Sequence, residues 1–184
     1  SNEFYSKLQV KYKGIKIIKT LNGEAVVMRK NSAKGVLIRG IDSTKINKID
    51  FFKTNIIDGD LSRFVDGTII LGKHLAIELG VVVGDKINIM SSSAVSTPLG
   101  AIPKQSSYEI AAVFSSGLYE FDRNVAFFNL EDSLSFFEKT IDDISLEIFL
   151  KNPLNAEKYK NEIQSMNSNF YVNSWSDLNK SFFS

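Results

Sequence analysis

Few side chains in this sequence are equipped for chemistry. His74, in "LGKHLAIELG" (71–80), is the single histidine, and there is no cysteine. A structural or catalytic metal needs three or four ligands in a fixed arrangement. No carboxylate pair stands where it would complete such a set around His74, so no metal ligand is assigned and His74 reads as an exposed helix residue. The absence of cysteine removes thiolate nucleophiles and disulfides, and fits a reducing or an oxidising compartment equally. Phosphate-cradling glycine loops of the P-loop or dinucleotide type are missing, as is a Gly-x-Ser-x-Gly elbow. Gly72, Gly80 and Gly84 fall instead at a helix start, a helix end and a turn. Acidic residues gather in "EFD" (Glu120–Asp122) and "IDD" (Ile141–Asp143), both on segments that read as solvated turns. Arg39 and Asp42 in "RGID" are placed for a local ion pair at a strand end. The reading is non-catalytic, with no cofactor.

The chain has 184 residues, enough for one domain or two small lobes with a hydrophobic core. An apolar fraction of 43% argues against disorder. Lys+Arg of 22 against Asp+Glu of 21 leaves a formal charge of +1, which calls for neither nucleic acid nor an anionic membrane surface. No run reaches the roughly 18 apolar residues of a membrane span. The opening "SNEFYSKL" and closing "LNKSFFS" read as the edges of a domain excised from a larger protein.

Hydrophobic periodicity supplies the elements. Phe4, Leu8 and Tyr12 have helical spacing. "IKIIKTLNGEAVVMRKN" reads as two strands with Asn22-Gly23 as a turn or bulge between them, and "AKGVLIRGID" as a third strand. Phe51, Phe52, Ile56 and Ile57 suggest a short helix. Strand 68–71 runs into helix 74–79, which Gly80 ends as a left-handed residue. Ile87 and Ile89 alternate inward in the next strand. Strands 107–114 and 125–128 flank a turn, and helix 131–138 follows with Asn129 as its candidate N-cap. Strand 144–150, a helix 154–166 opened by Pro153, strand "FYVNSW" and a terminal helix complete the chain.

One segment stands apart. "SSSAVSTPLGAIP", Ser91–Pro103, carries no charge in a chain that is 23% charged, and it holds two of the three prolines. Loops of about 12–15 residues without their own structure are uncommon in compact domains and are usually functional or disordered. Pro98 and Pro103 lower the entropy lost on ordering, and Leu99 and Ile102 are apolar. Two readings follow from the residues: a stiff projection that docks another protein, or a loop folded back over a sheet that buries Leu99 and Ile102.

"GVLIRGID", "DGTIILGKHLAIELGVVVGDKINIM" and "TPLGAIPKQSSYEIAAVFSSGLYEFDRNVAFFNLEDSLSFF", in that order, resemble the periplasmic domain of lipoprotein-releasing ABC transporter permeases of the LolC/LolE type. The resemblance runs from about residue 23 to the 175–183 segment. "TPLGAIP" favours the LolC-like form or the merged single-permease form. The block around "LGKHLAIELGVVVGDKI" is also similar to periplasmic domains of macrolide-exporter-like permeases, which leaves an efflux-type permease docking an adaptor protein as the alternative.

The resemblance implies a non-catalytic domain inserted between two helices of a multi-pass inner-membrane protein in a Gram-negative bacterium. It implies a cytoplasmic ATPase subunit, a second permease copy or paralogue, lipoproteins as cargo, and a periplasmic carrier, LolA, as partner. The implied fold class is α+β and two-lobed. A mixed α+β lobe comes from residues 1–58 and 138–184, and a mainly β inserted lobe, 59–137, carries a protruding β-hairpin hook at 92–103. The implied carrier-binding residues are Ser92, Ser93, Ala94, Val95, Ser96, Thr97, Pro98, Leu99, Gly100, Ala101, Ile102 and Pro103, with Gln105 nearby. Thr97, Pro98, Gly100 and Pro103 match the family's motif. Departures occur at Asn88 and Ala101, where the family has basic residues, and at Ser92, where it has proline. They imply carrier binding that is weaker or matched to a different surface charge. Binding energy is expected to concentrate in Pro98, Leu99, Ile102 and Pro103.

Overall fold

A computed structural model describes residues 6–8, 10, 16–150, 161–162 and 170–174. The expected helix 154–166 and the terminal helix lie outside them, apart from helical 161–162. The strands are β1 (Lys16–Arg29), β2 (Ser32–Ile41), β3 (Ile56–Gly59), β4 (Thr68–Gly72), β5 (Lys86–Thr97), β6 (Gly100–Phe114), β7 (Val125–Asn129), β8 (Ser145–Leu150) and β9 (Phe170–Ser174). The short helices are α1 (Asp50–Asn55), α2 (Lys73–Leu79), α3 (Tyr119–Asn124) and α4 (Leu130–Phe136). The protein is therefore mixed α+β.

Two compact units emerge: Ser1–Thr20 with Thr140–Ser184, and Leu21–Lys139. Residues 21–58, which the sequence reading groups with the chain ends, belong here to the second unit. The reason is β1, a single unbroken strand: Lys16–Thr20 pairs antiparallel with β8, whereas Ala25–Met28 pairs with β5. Asn22-Gly23 is not a turn. Gly23 lets the strand pass close to the Phe137 ring, where a Cβ would fall 2.4 Å from it.

In the first unit, β8 lies between Lys16–Thr20 and β9, antiparallel to the former and parallel to the latter. Ile17, Ile18, Leu146 and Ile148 are buried there.

In the second unit the strands follow the order β2-β7-β4-β6-β5-β1, and a β1–β2 pairing joins the two ends into a closed ring. Closure removes the exposed edges that an open sheet would carry. Alternation of period two sends Ala25, Val27, Val36, Ile38, Ile69, Leu71, Ile87, Ile89, Ile110, Ala126 and Phe128 into one apolar cluster. Leu75, Ala76 and Leu79 of α2 pack into the same cluster, and Gly80 ends that helix at φ 62°. On the alternate face, Phe52 of α1 and Phe114 meet Phe127 edge-on, with centroids 4.9 Å and 5.4 Å away, and Phe51 lies tilted against it at 6.1 Å. The expected helix around Phe51 thus exists, but Ile56 leaves it to start β3.

Two polar positions depart from the sequence reading. The segment 115–124, read as a solvated turn, contains α3, and Asp122 is only 1% exposed. Its carboxylate accepts from the Ser116 N–H at 2.8 Å, from the Ser116 hydroxyl and from the Ser115 hydroxyl. Asn129 occupies the N-cap position of α4, but its side chain caps nothing. Instead Oδ1 accepts from the Ser43 N–H and Nδ2 donates to Asp66.

Candidate protein-docking site

Ser91–Pro103 forms an antiparallel ribbon of two strands, not a loop. β5 and β6 pair in register from Lys86↔Glu109 to Met90↔Gln105 and again from Ala94↔Pro103 to Thr97↔Gly100, leaving Pro98 and Leu99 as a two-residue turn. The ring's pairing with β1 ends at Ala25↔Ser91, and that of β6 with β4 begins at Glu109. Beyond Ser91, no other strand among the described residues pairs with the ribbon. Beyond the bulge, Ala94–Thr97 and Gly100–Pro103 therefore extend with both edges open, four residues on each side, and at about 3.3 Å per residue this paired part is roughly 13 Å long before the turn.

A bulge marks the point of departure. Ser91, Ser92 and Ser93 on β5 face Lys104 alone on β6. A bulge leaves backbone groups unpaired and bends its strand, and the serines answer both effects. Ser91 Oγ accepts from the Ser93 N–H at 3.2 Å and lies 2.8 Å from Ser93 Oγ. Ser92 Oγ donates to the Glu24 carbonyl on β1 at 3.3 Å. On the opposite strand Lys104 Nζ donates to the Ser135 carbonyl of α4. Below them Tyr108 stacks on Phe128 with centroids 4.3 Å apart. Burial first, then the Asp132 charge, push its phenol up to about 12. The root of the ribbon is thus anchored to β1, α4 and the core.

The tip is wired by Thr97. Its hydroxyl donates to the Gly100 carbonyl at 2.6 Å and accepts from the Leu99 N–H at 3.3 Å. Pro98 brings a preset φ suited to the first turn position, and Gly100 takes φ 115°, which side chains disfavour. Pro103 is tolerated because an edge strand needs no outward N–H. Leu99 is 94% exposed and Ile102 53%. The folded-back reading, which buries both, is therefore excluded.

The thirteen sequence-chosen residues all lie on this hairpin. They separate into the rooting bulge (Ser92, Ser93), the projecting strands and tip (Ala94–Pro103), and Gln105. Gln105 sits on the barrel side of Lys104, with Nε2 3.8 Å from Met90 Sδ. Sequence reasoning missed Ser91 and Lys104, which fix the root; the triple serine was their one local signal. Asn88 is exposed on the pairing between Met28 and Ser107. His74, partly buried, packs on Tyr119 at 4.4 Å. Among the described residues no group of His, Asp or Glu is arranged to hold a metal, and no helix is long and apolar enough to cross a membrane.

No protein-family model matches the chain. Over 167 residues, 89% of its length, it is 24% identical to the lipoprotein-releasing system transmembrane protein LolC of Neisseria meningitidis serogroup B. It is 31% identical over 171 residues, 90% of its length, to the LolC of Buchnera aphidicola. The chain is LolC-like. This LolC-like chain spans about two fifths of those relatives, 40% and 41% of their lengths. Its fold is similar to the extracellular domain of the noncanonic ABC-type transporter YknZ from Gram-positive bacteria (TM-score 0.55, 15% identity, 86% of this chain and 76% of that one). It is also similar to the periplasmic region of MacB from Actinobacillus actinomycetemcomitans (TM-score 0.54, 13% identity, 88% and 71%).

Proposed function

We propose that this LolC-like chain is the periplasmic domain of a lipoprotein-releasing ABC permease, and that its hairpin recruits the periplasmic lipoprotein carrier. The observation that carries the reading is the ribbon itself: rooted through Ser92 and Lys104, closed at the tip by Thr97, and presenting Leu99, 94% exposed, at its turn with Ile102 beside it. Exposed apolar side chains on a preordered element dock with little further loss of entropy. In this reading the domain does no chemistry. An ATPase subunit drives extraction of the acylated cargo, a second permease subunit completes the transporter, and the hairpin holds the acceptor where cargo emerges. Residues Ala94–Pro103 make the contact, with Leu99 and Ile102 as anchors, while Ser92, Ser93 and Lys104 aim the hairpin.

Replacing Val95–Ile102 with Asn-Gly tests this, because it closes the register partners Ala94 and Pro103 with a favoured two-residue turn. Carrier binding is expected to be lost with the melting temperature preserved; unchanged binding would refute the assignment. The fold likeness to MacB favours a second reading, an efflux-type permease domain. Binding of an outer-membrane-channel adaptor without any binding of the carrier would select it. The LolC likeness favours the first.

A further inference from the structure

We propose that the hairpin selects its partner without charge: the carrier's receiving surface is an uncharged, apolar cleft that takes Leu99 and Ile102. This rests on the carrier-docking reading and specifies the chemistry of the same site. The argument comes from where the ionic groups around the ribbon are placed. Ser91–Pro103 contains none. The first cation after it, Lys104, gives its ammonium to the Ser135 carbonyl. Farther down β6, Glu109 is paired with Arg63 at 2.8 Å, and Asp85 before β5 is paired with Arg29 at 2.9 Å. Glu24 stands exposed at the root, where its carbonyl accepts from Ser92.

Lys104 at the root stands five residues from Leu99 at the tip along the projecting strand, a span of roughly 16 Å. That is about twice the Debye length of about 8 Å at physiological ionic strength, so charges at the root are largely screened at Leu99. Ile102, two residues from Lys104, lies within that length, but the Lys104 ammonium is given to the Ser135 carbonyl. A charged cleft closing over this neutral tip would lose its hydration and gain no counter-charge, which selects against such partners. The side chains offered by the tip, proline, leucine, isoleucine, alanine and glycine, reward an apolar surface instead. Hydrogen bonding is left to the open backbone edges and to Ser96.

The test is calorimetric titration of this chain with its organism's purified lipoprotein carrier at NaCl from about 50 to about 500 mM, a range that shortens the Debye length severalfold. The expected dissociation constant stays within twofold across the series. Weakening by tenfold or more overturns the inference while leaving the carrier reading intact. No association at any salt overturns the carrier reading as well. Two further variants, Leu99→Lys and Leu99→Glu, probe the cleft directly, and Leu99 is exposed enough for both to fold. An uncharged cleft rejects both by at least tenfold and to a similar degree. Retained or improved binding by either one reveals an opposite charge in the cleft and overturns the inference.

Discussion

Leu99→Ala separates docking from folding most cleanly. Leu99 is 94% exposed in the free domain, so truncation removes almost no native packing, and surface changes of this kind stay within about 0.5 kcal/mol of stability. If docking buries the side chain, the three carbons removed are worth about 0.8 kcal/mol each, or about 2.4 kcal/mol at full burial and about 1.2 at half. At 1.4 kcal/mol per decade, the dissociation constant should rise between roughly sevenfold and fiftyfold. Ile102 is already about half covered in the free domain. Ile102→Ala therefore has less new surface to lose on docking and should cost roughly half as much. Calorimetry of both variants against the carrier, beside thermal melts, reads the two quantities. Affinity of Leu99→Ala within twofold of wild type, or a larger loss for Ile102→Ala, would refute the assignment of Leu99 as the leading anchor.

Gly100→Ala forces a side chain into φ 115°, at a cost of about 1 kcal/mol or more. Faster amide exchange confined to Thr97–Ile102, with the barrel unchanged, is the expected signature. Asp122→Ala removes a buried carboxylate that accepts from Ser115 and Ser116. Chemical denaturation should show a loss of about 2–4 kcal/mol, partly recovered in Asp122→Asn, which keeps an acceptor. Asp132, whose Oδ2 accepts from the Gly67 N–H at 2.8 Å, has its carboxyl raised above 3.8 by burial, with Asp66 and Glu131 adding to the rise. A raised carboxyl favours the protonated form in the native state, so its contribution to stability grows as pH falls through the native value and is unfavourable above it. Asp132→Asn should therefore melt no lower than wild type at neutral pH, and its advantage should vanish in acid; a lower melting temperature at pH 7 would contradict this.

Much of the site was legible in the residues. The uncharged, proline-bearing run Ser91–Pro103 announced an unusual surface element, and the inward alternation of Ile87 and Ile89 located the strand leading into it. Gly80 declared its left-handed φ because its position at a helix end leaves few alternatives. Other residues carried a misleading local signal. Gly23 beside Asn22 imitates a turn, yet it lies within the strand β1, where its small size accommodates the Phe137 ring, 114 residues away in sequence. Asp122 in an acidic, aromatic stretch looks solvated, and its burial follows from serines that the chain reversal at Gly117 brings beneath it. Asn129 holds the cap position it announced, but Ser43 and Asp66 compete successfully for its amide.

The sequence by itself determined composition, alternation and the places where the backbone must turn, because these depend on neighbours within a few residues. Only the tertiary structure decided that Ser91–Pro103 is a paired ribbon, where β1 stops supporting it, and that β1 and β2 close the ring beneath it. Those outcomes depend on which distant strands meet and which groups they desolvate. An uncharged segment can be buried or projected with the same residues. The triple-serine bulge tied to Glu24, and Lys104 opposite it tied to Ser135, mark where the segment leaves the ring and projects.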